Sequence, residues 1–448
     1  MLSPEQAQAH CQALVERARA AGADAADTLF AADSSQSVQV RLGALEDVER
    51  SESEHVSLRV FVGQGTASIG SSDLSDAALA ELAARAVAMA RAAPEDKYAG
   101  LAPEDLLLRG LPPQLDQADP REFAPGELRA RAEQAEDAAR AVAGVTNSEG
   151  GSASIGAAVV ALATSAGFAG AYASTSHSLS ASVIAGEGAG MQRDYAWRVA
   201  RHAADLPGPD EIGALAGERA VARLDPQPLS SGPRPVVFSP RVGGSLVGHL
   251  LGAISGAAIA RKASFLLGRA GEAVFARGIT IRDDPHRLRG LRSRPFDGEG
   301  LPTAPRALVE DGRLTGWLMD SASARQLGLA PTGHAVRGQG GSPGVGASNV
   351  WIEPGAASVA DLIGDIADGV YVTELIGQGV NGVTGDYSRG ASGLRIVNGQ
   401  FAGPVAGITI AGNLLEMFAH LSAANDLEIY RGIDVPTLRV DGMTVAGE

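Results

Sequence analysis

A hydrolytic zinc site on a helix needs two histidines and a neighbouring glutamate on one face, so that two ligands and a general base converge. The best candidate is a helix over 239–260, with Ser239 as its cap and Pro240 at its first position, and it holds His249 alone. His249 follows Leu246 by three residues and adjoins Leu250, on the apolar side, which reads as a core or interface imidazole rather than a ligand. The run Ile281-Arg282-Asp283-Asp284-Pro285-His286 gathers two carboxylates and an imidazole suited to acid/base or metal chemistry. Standing before a proline, it is expected to be a solvated turn. The glycine-rich runs 338–346 and 377–393 have neither the Gly-Lys-Ser/Thr ending of a phosphate loop nor the spacing of a dinucleotide fingerprint, and read as backbone near a binding cleft. No serine is read as a nucleophile on a strand-to-helix elbow, and Cys11, the single cysteine, sits on an amphipathic helix.

The elements that must position these residues are partly marked by their caps. Ser3, Pro4 and Gln6 start a helix over 4–21, a second helix over 75–93 stops at Pro94, and helices are expected over 127–142 and 211–224. Val56, Leu58 and Val60 alternate with polar residues and lead through Gly63-Gln64-Gly65 into a hairpin. Six prolines over 94–125 mark an extended connector, and the Ala/Ser/Gly-rich stretch to Arg201 predicts antiparallel strands turning near Gly150-Gly151, Gly167 and Gly186-Glu187-Gly188. In the second half, Asp311-Gly312, Asn398-Gly399 and Asp441-Gly442 each lie between apolar runs and predict hairpins, because their turn needs positive φ at both central residues. Helices are expected over 358–367 and 414–421, the latter apolar on more than one face and therefore a candidate contact surface. The reading is α+β: residues 1–224 form a domain of mixed antiparallel sheet and helices, with the connector at about 94–125, and residues 235–448 a hairpin-rich antiparallel β domain with intervening helices.

Composition sets the outer limits. A chain of 448 residues exceeds one ordinary core, and 57 glycines with 4% aromatics favour short strands built on Ala, Val, Leu and Ile. A net charge of -15 argues against a phosphate-tracking surface, so direct nucleic-acid binding is not expected. One cysteine excludes an internal disulfide and a multi-cysteine zinc site, and suits a reducing cytoplasm. The N-terminus carries no secretory pattern, and the uncharged stretch 242–260 holds five glycines, too polar a run for a membrane span.

Long segments of the second half carry a family resemblance. They are Gly248-His249-Leu250-Leu251-Gly252-Ala253-Ile254 with Arg261-Lys262-Ala263-Ser264-Phe265-Leu266, Pro295-Phe296-Asp297-Gly298-Glu299-Gly300, Gly333-His334-Ala335, Thr373 through Val380, Thr384 through Ala391, and Ile408 through Leu414. Together they resemble the TldD/PmbA family in its PmbA (TldE) type, also called modulators of DNA gyrase, and the first half agrees in length and layout. The resemblance implies a cytoplasmic zinc metallopeptidase of two related subunits. In that family TldD holds zinc through His-Glu-x-x-x-His and a distant cysteine, and the PmbA type lacks these and completes the chamber in which unfolded peptides are cut. Aligned on Arg261-Lys262, the two histidines fall at Gly248 and Ala253 and the glutamate at His249.

The resemblance therefore implies a non-catalytic subunit with no cofactor of its own and zinc in a TldD-like partner. It implies a heterodimer, or a homodimer when alone, with Asp386, Tyr387, Ser388 and Arg389 facing the cavity. The alternative is a stand-alone binding protein acting on gyrase or an antitoxin without proteolysis.

Overall fold

The computed structural model describes residues 1–338 and 342–447. In the first half, β1 (Ala25–Arg41), β2 (Ala44–Val62), β3 (Gly65–Ser71), β4 (Val145–Thr164), β5 (Ala169–Ala185) and β6 (Gln192–Ala200) form one antiparallel sheet in the order β3-β2-β1-β4-β5-β6. Four helices, α1 (Pro4–Ala20), α2 (Asp76–Ala92), α3 (Pro125–Arg140) and α4 (Pro209–Val221), lie on a single face of it. The strand period of two explains the choice of face: Ala26, Phe30, Ala32, Val38 and Val40 of β1 and Ala153, Val159, Ala161 and Ala163 of β4 all point at the helices. The predicted cap of α1 is present, with Ser3 Oγ accepting from the Gln6 N–H and the Gln6 side chain accepting from the Ser3 N–H.

The strands are longer than composition suggested. β1, β2, β4 and β5 run for 17, 19, 20 and 17 residues. The turn expected at Gly150-Gly151 is a bulge inside β4 instead. Gly150 has φ of 115°, and a Cβ on Gly151 would collide with the Ala132 carbonyl of α3, so these glycines admit a twist and a close helix rather than a reversal. On the sheet's other face, Leu29, Leu162 and Phe168 pack against Phe296 and Leu301, so the two halves share a core.

The second half contributes β7 (Gly232–Phe238), β8 (Ile281–Asp284), β9 (Arg306–Glu310), β10 (Arg313–Leu314), β11 (Ala335–Val336), β12 (Gly344–Val345), β13 (Asn349–Ile352), β14 (Asp368–Ile376), β15 (Asp386–Val397), β16 (Gln400–Asn413), β17 (Leu421–Ala423), β18 (Ile433–Asp434) and β19 (Leu438–Ala446). Strands β16-β15-β14-β7-β19 follow one another and β19 pairs back onto β16, which closes the sheet into a small barrel. A second sheet runs β10-β9-β8-β13-β18. Both are mainly antiparallel, with β7–β14 and β13–β18 parallel. The helices are α5 (Pro240–Ala253), α6 (Gly256–Ala260), α7 (Ser321–Leu327), α8 (Val359–Ile363) and α9 (Leu414–Ala419).

The Asp311-Gly312 and Asn398-Gly399 hairpins form as predicted, with positive φ at all four residues. Asp441-Gly442 does not reverse the chain. It is a bulge within β19, whose two parts both pair with β7, and the extra residue keeps Leu438, Val440, Met443 and Val445 on the core side. The helix expected over 358–367 ends at Ile363. The apolar helix expected over 414–421 buries Leu414, Met417 and Phe418 within the chain, with Phe418 stacked 4.3 Å from Phe275, so it is core rather than contact surface.

The helix predicted over 239–260 breaks at Ser255, which bridges to Leu318 like a strand residue. The Gly256 N–H donates to the Leu318 carbonyl at 2.7 Å, and a Cβ there would lie 2.6 Å from Ser323 Oγ. Among the described residues no helix is long and apolar enough to cross a membrane.

Candidate functional site

α5 buries Gly243, Leu246, Val247, Leu250 and Ala253, a stripe at helical spacing, against the barrel and β18. The side turned away from that stripe carries Gly248 and Gly252, both exposed, and a Cβ at either would meet no atom within 4 Å. A cavity of about 240 Å³ opens there, lined by Gly248, His249, Ala253, Phe265, Val380 and Leu414 among others.

The loop between β14 and β15 forms the other wall, and its glycine-rich sequence is held by main-chain bonds. Ser388 N–H donates to the Gly379 carbonyl at 2.7 Å, Phe265 N–H to Gly382 at 3.0 Å and Leu414 N–H to Gly385 at 2.7 Å. Asn413 caps α9 through its side-chain oxygen, and its amide group donates to the Thr384 carbonyl at 3.0 Å. The glycine-rich run 377–393 is thus a tied wall of the cavity. The other run, 338–346, lies partly outside the described residues.

Between α5 and β15, three buried polar groups have no hydrogen-bond partner among the described residues: His249 Nε2, Tyr387 hydroxyl and Arg389 Nε. The His249 ring meets Tyr387 edge to face at 6.0 Å. Burial, and secondarily the Arg389 charge, lowers the His249 pKa, so the imidazole is neutral at pH 7. Burial pushes the Tyr387 phenol up to about 12. Strand alternation divides the segment 386–389 between two sides: Asp386 and Ser388 are exposed, whereas Tyr387 and Arg389 turn inward toward α5.

This donor set does not fit zinc. Gly248 and Ala253, which stand where the resemblance puts the metal histidines, offer no donor, and His249 is a lone imidazole. Among the described residues no three His, Cys, Asp or Glu side chains gather as a metal would require. Cys11 is buried between α1 and the first sheet, its thiol pushed up to about 11 by burial, and its Sγ faces the Ala161 carbonyl.

The other candidates are placed elsewhere. The run 281–286 is not a solvated turn: Asp283 is buried in β8, where it accepts from His334 Nε2 at 2.9 Å and the Ser348 N–H at 2.8 Å. Asp284 caps the His286 N–H, and the His286 ring reaches Thr303 Oγ1, so the three side chains have separate partners. The residues Gly340-Gly341-Ser342-Pro343-Gly344 match a serine elbow in spacing, but β12 follows them rather than a helix, and Gly340 and Gly341 lie outside the described residues.

A buried ionic cluster went unseen in the sequence. Asp27 takes Arg59 in a bidentate pair and Arg337 Nη1 at 2.6 Å, and Glu299 lies 3.9 Å from Arg59. These residues come from both halves, and no local spacing announces them.

Comparison with known proteins agrees with this geometry. Residues 26–90, 118–224 and 231–447 match the first, central and C-terminal domains of the PmbA/TldA metallopeptidases. The chain is 40% identical to metalloprotease PmbA of Escherichia coli O157:H7 over 95% of its length and 93% of that protein. It is 36% identical to a PmbA homolog of Haemophilus influenzae over 97% of its length and 94% of that protein. A solved candidate modulator of DNA gyrase from Bacteroides thetaiotaomicron superposes with a TM-score of 0.92 at 26% identity, over the whole of both chains. TldE of Thermococcus kodakarensis shares the fold, with a TM-score of 0.84 at 20% identity over 98% of this chain and all of that one. With all three domains matched in order and the similarity spanning nearly the full length, the chain belongs to the PmbA/TldD metallopeptidase family.

Proposed function

We propose that this chain is the non-catalytic subunit of a two-chain zinc peptidase of the cytoplasm, pairing with a TldD-like subunit and completing the chamber that receives unfolded peptides. The observation that carries this reading is the lack of a donor on α5 beside its cavity: the two positions for metal histidines hold Gly248 and Ala253, while the loop 377–385 and the start of α9 enclose a cavity beside them. A wall of main-chain groups and small residues receives extended peptide without reading its sequence, because strand addition uses backbone hydrogen bonds. The acidic charge agrees with peptide rather than nucleic acid as the ligand.

The test is cleavage of an unfolded peptide by this chain, by a TldD-type chain, and by the mixture, with zinc measured by elemental analysis after dialysis against a mild chelator. The expected result is zinc in the TldD-type chain, none held stoichiometrically here, and cleavage by the mixture well above either chain alone. Cleavage by this chain alone, or a mixture no more active than the TldD-type chain, overturns the reading. In the second case, co-purification with gyrase or an antitoxin would support a stand-alone binding protein.

A further inference from the structure

A larger cavity, of about 630 Å³, lies between α4, β6 and the first turn of α5. Gly248 stands nine positions after Ser239, roughly 13.5 Å along the helix axis, so this is a separate place from the bare side of α5. Four arginines line it: Arg198, Arg219, Arg223 and Arg241. Three have carboxylate partners. Arg223 and Arg241 share Asp194, at 3.3 and 2.6 Å, Arg223 also meets Glu374, and Arg198 lies 3.6 Å from Glu428.

Arg219 differs. Its one hydrogen bond among the described residues goes to the Tyr195 carbonyl at 3.2 Å. Burial first, and the Arg241 charge next, weaken its hold on its proton. A half-buried guanidinium beside a second one costs free energy that an incoming anion would offset.

Two further features point the same way. The positive end of α5 faces this wall through its first turn, and Ser239, the cap residue, is only 5% exposed with its hydroxyl bonded to nothing among the described residues. Carboxylates line the cavity too: Glu211, Glu218 and Glu428 are exposed to solvent, and Asp426 is half-buried. The lining also has an apolar part, with Leu215 and Leu394. A ligand matching this lining has a carboxylate, an ammonium and a modest apolar body, and the volume exceeds the need of a single amino acid.

We propose that this cavity binds a short peptide with free termini, its carboxylate seated on Arg219 and Arg241 at the start of α5 and its ammonium held by the exposed carboxylates of Glu218 and Glu428. Because α4 and β6 belong to the first half and α5 to the second, a bound peptide ties the halves together. The proposal needs this chain alone, so it stands or falls independently of the two-subunit reading.

Calorimetric titration of the full chain tests it with trialanine, trialanine amide, N-acetyl-trialanine and inorganic phosphate. Trialanine is expected to bind, the amide about 10-fold or more weaker, and the acetylated peptide several-fold weaker, since each loses one charge-assisted contact. Arg219→Gln should bind acid and amide alike, whereas Arg219→Lys should keep part of the preference. The parent comparison of acid with amide decides the matter even if a variant fails to fold. No heat with trialanine, equal affinity for acid and amide, or phosphate binding as tightly as trialanine would each overturn the proposal.

Discussion

At the scale of single residues, the corner around α5 pairs a cavity with positions that offer no metal donor. His249 stands where the resemblance places the general base, yet it is neutral and turned against Tyr387. Restoring the helix pattern with Gly248→His, His249→Glu and Ala253→His should leave the chain inactive alone, because two histidines leave zinc short of a third protein anchor. The stability cost should arise at one position. Gly248 has open space, whereas Ala253 is 5% exposed, so overpacking of about 1–3 kcal/mol is expected there. Urea unfolding of the single and triple variants measures this. Chelator-sensitive cleavage by the triple variant would show instead that the surround is still complete.

At the scale of elements, what could be read in the sequence was whatever local chemistry decides. The start of α1, the end of α2 before Pro94 and the turns at Asp311 and Asn398 came from cap, stop and turn residues, which act over a few positions, whereas α3 and α4 begin two residues earlier than expected, at Pro125 and Pro209. Long β4, the bulge in β19 and the break after α5 did not, because each is set by a distant neighbour: α3, β7 and Leu318. The same limit applied to the site. The absence of a donor at Gly248 and Ala253 followed from the resemblance, but the inward turn of Tyr387 and Arg389 depends on strand register, and the lack of a carboxylate beside Arg219 depends on how α4 packs on β6.

Two glycines near α5 make this argument measurable. Gly256→Ala puts a methyl against Ser323 Oγ and the Leu318 carbonyl, at 2.6 and 2.9 Å, and should cost about 1–3 kcal/mol. Gly248→Ala meets nothing within 4 Å and should raise stability by up to about 1 kcal/mol through helix propensity. Denaturant midpoints that move in the same direction for both would contradict the environments assigned to them.

At the scale of the whole molecule, the seam between the halves is both apolar and ionic. Leu29, Leu162 and Phe168 meet Phe296 and Leu301, and beside them Asp27, Arg59, Arg337 and Glu299 are buried together. Residues 27 and 337 meet only after both halves have folded, which is why no sequence pattern revealed them. Within this group Glu299 is the member whose charge is least well supported. Its carboxylate accepts from the Ser321 N–H at 2.8 Å and lies 3.9 Å from Arg59, but burial dominates and raises its pKa from 4.5 to about 7. Between those two values the folded chain holds a proton that the unfolded chain has released. Stability therefore declines as pH rises from about 4.5 to about 7 and then levels, by up to about 3 kcal/mol for this group.

Other carboxylates shift in the opposite sense, Asp27 among them, so the total slope is not diagnostic. The difference between parent and Glu299→Gln is, because the other groups cancel in it. Glutamine keeps an acceptor for Ser321 and is neutral at every pH. Urea unfolding at about pH 5.5 and about pH 8.5 should show the variant's stability relative to the parent's greater at the higher value by roughly 2 kcal/mol. An equal pH dependence in the two proteins would mean that Glu299 remains ionised in the fold, held by Arg59 across the seam.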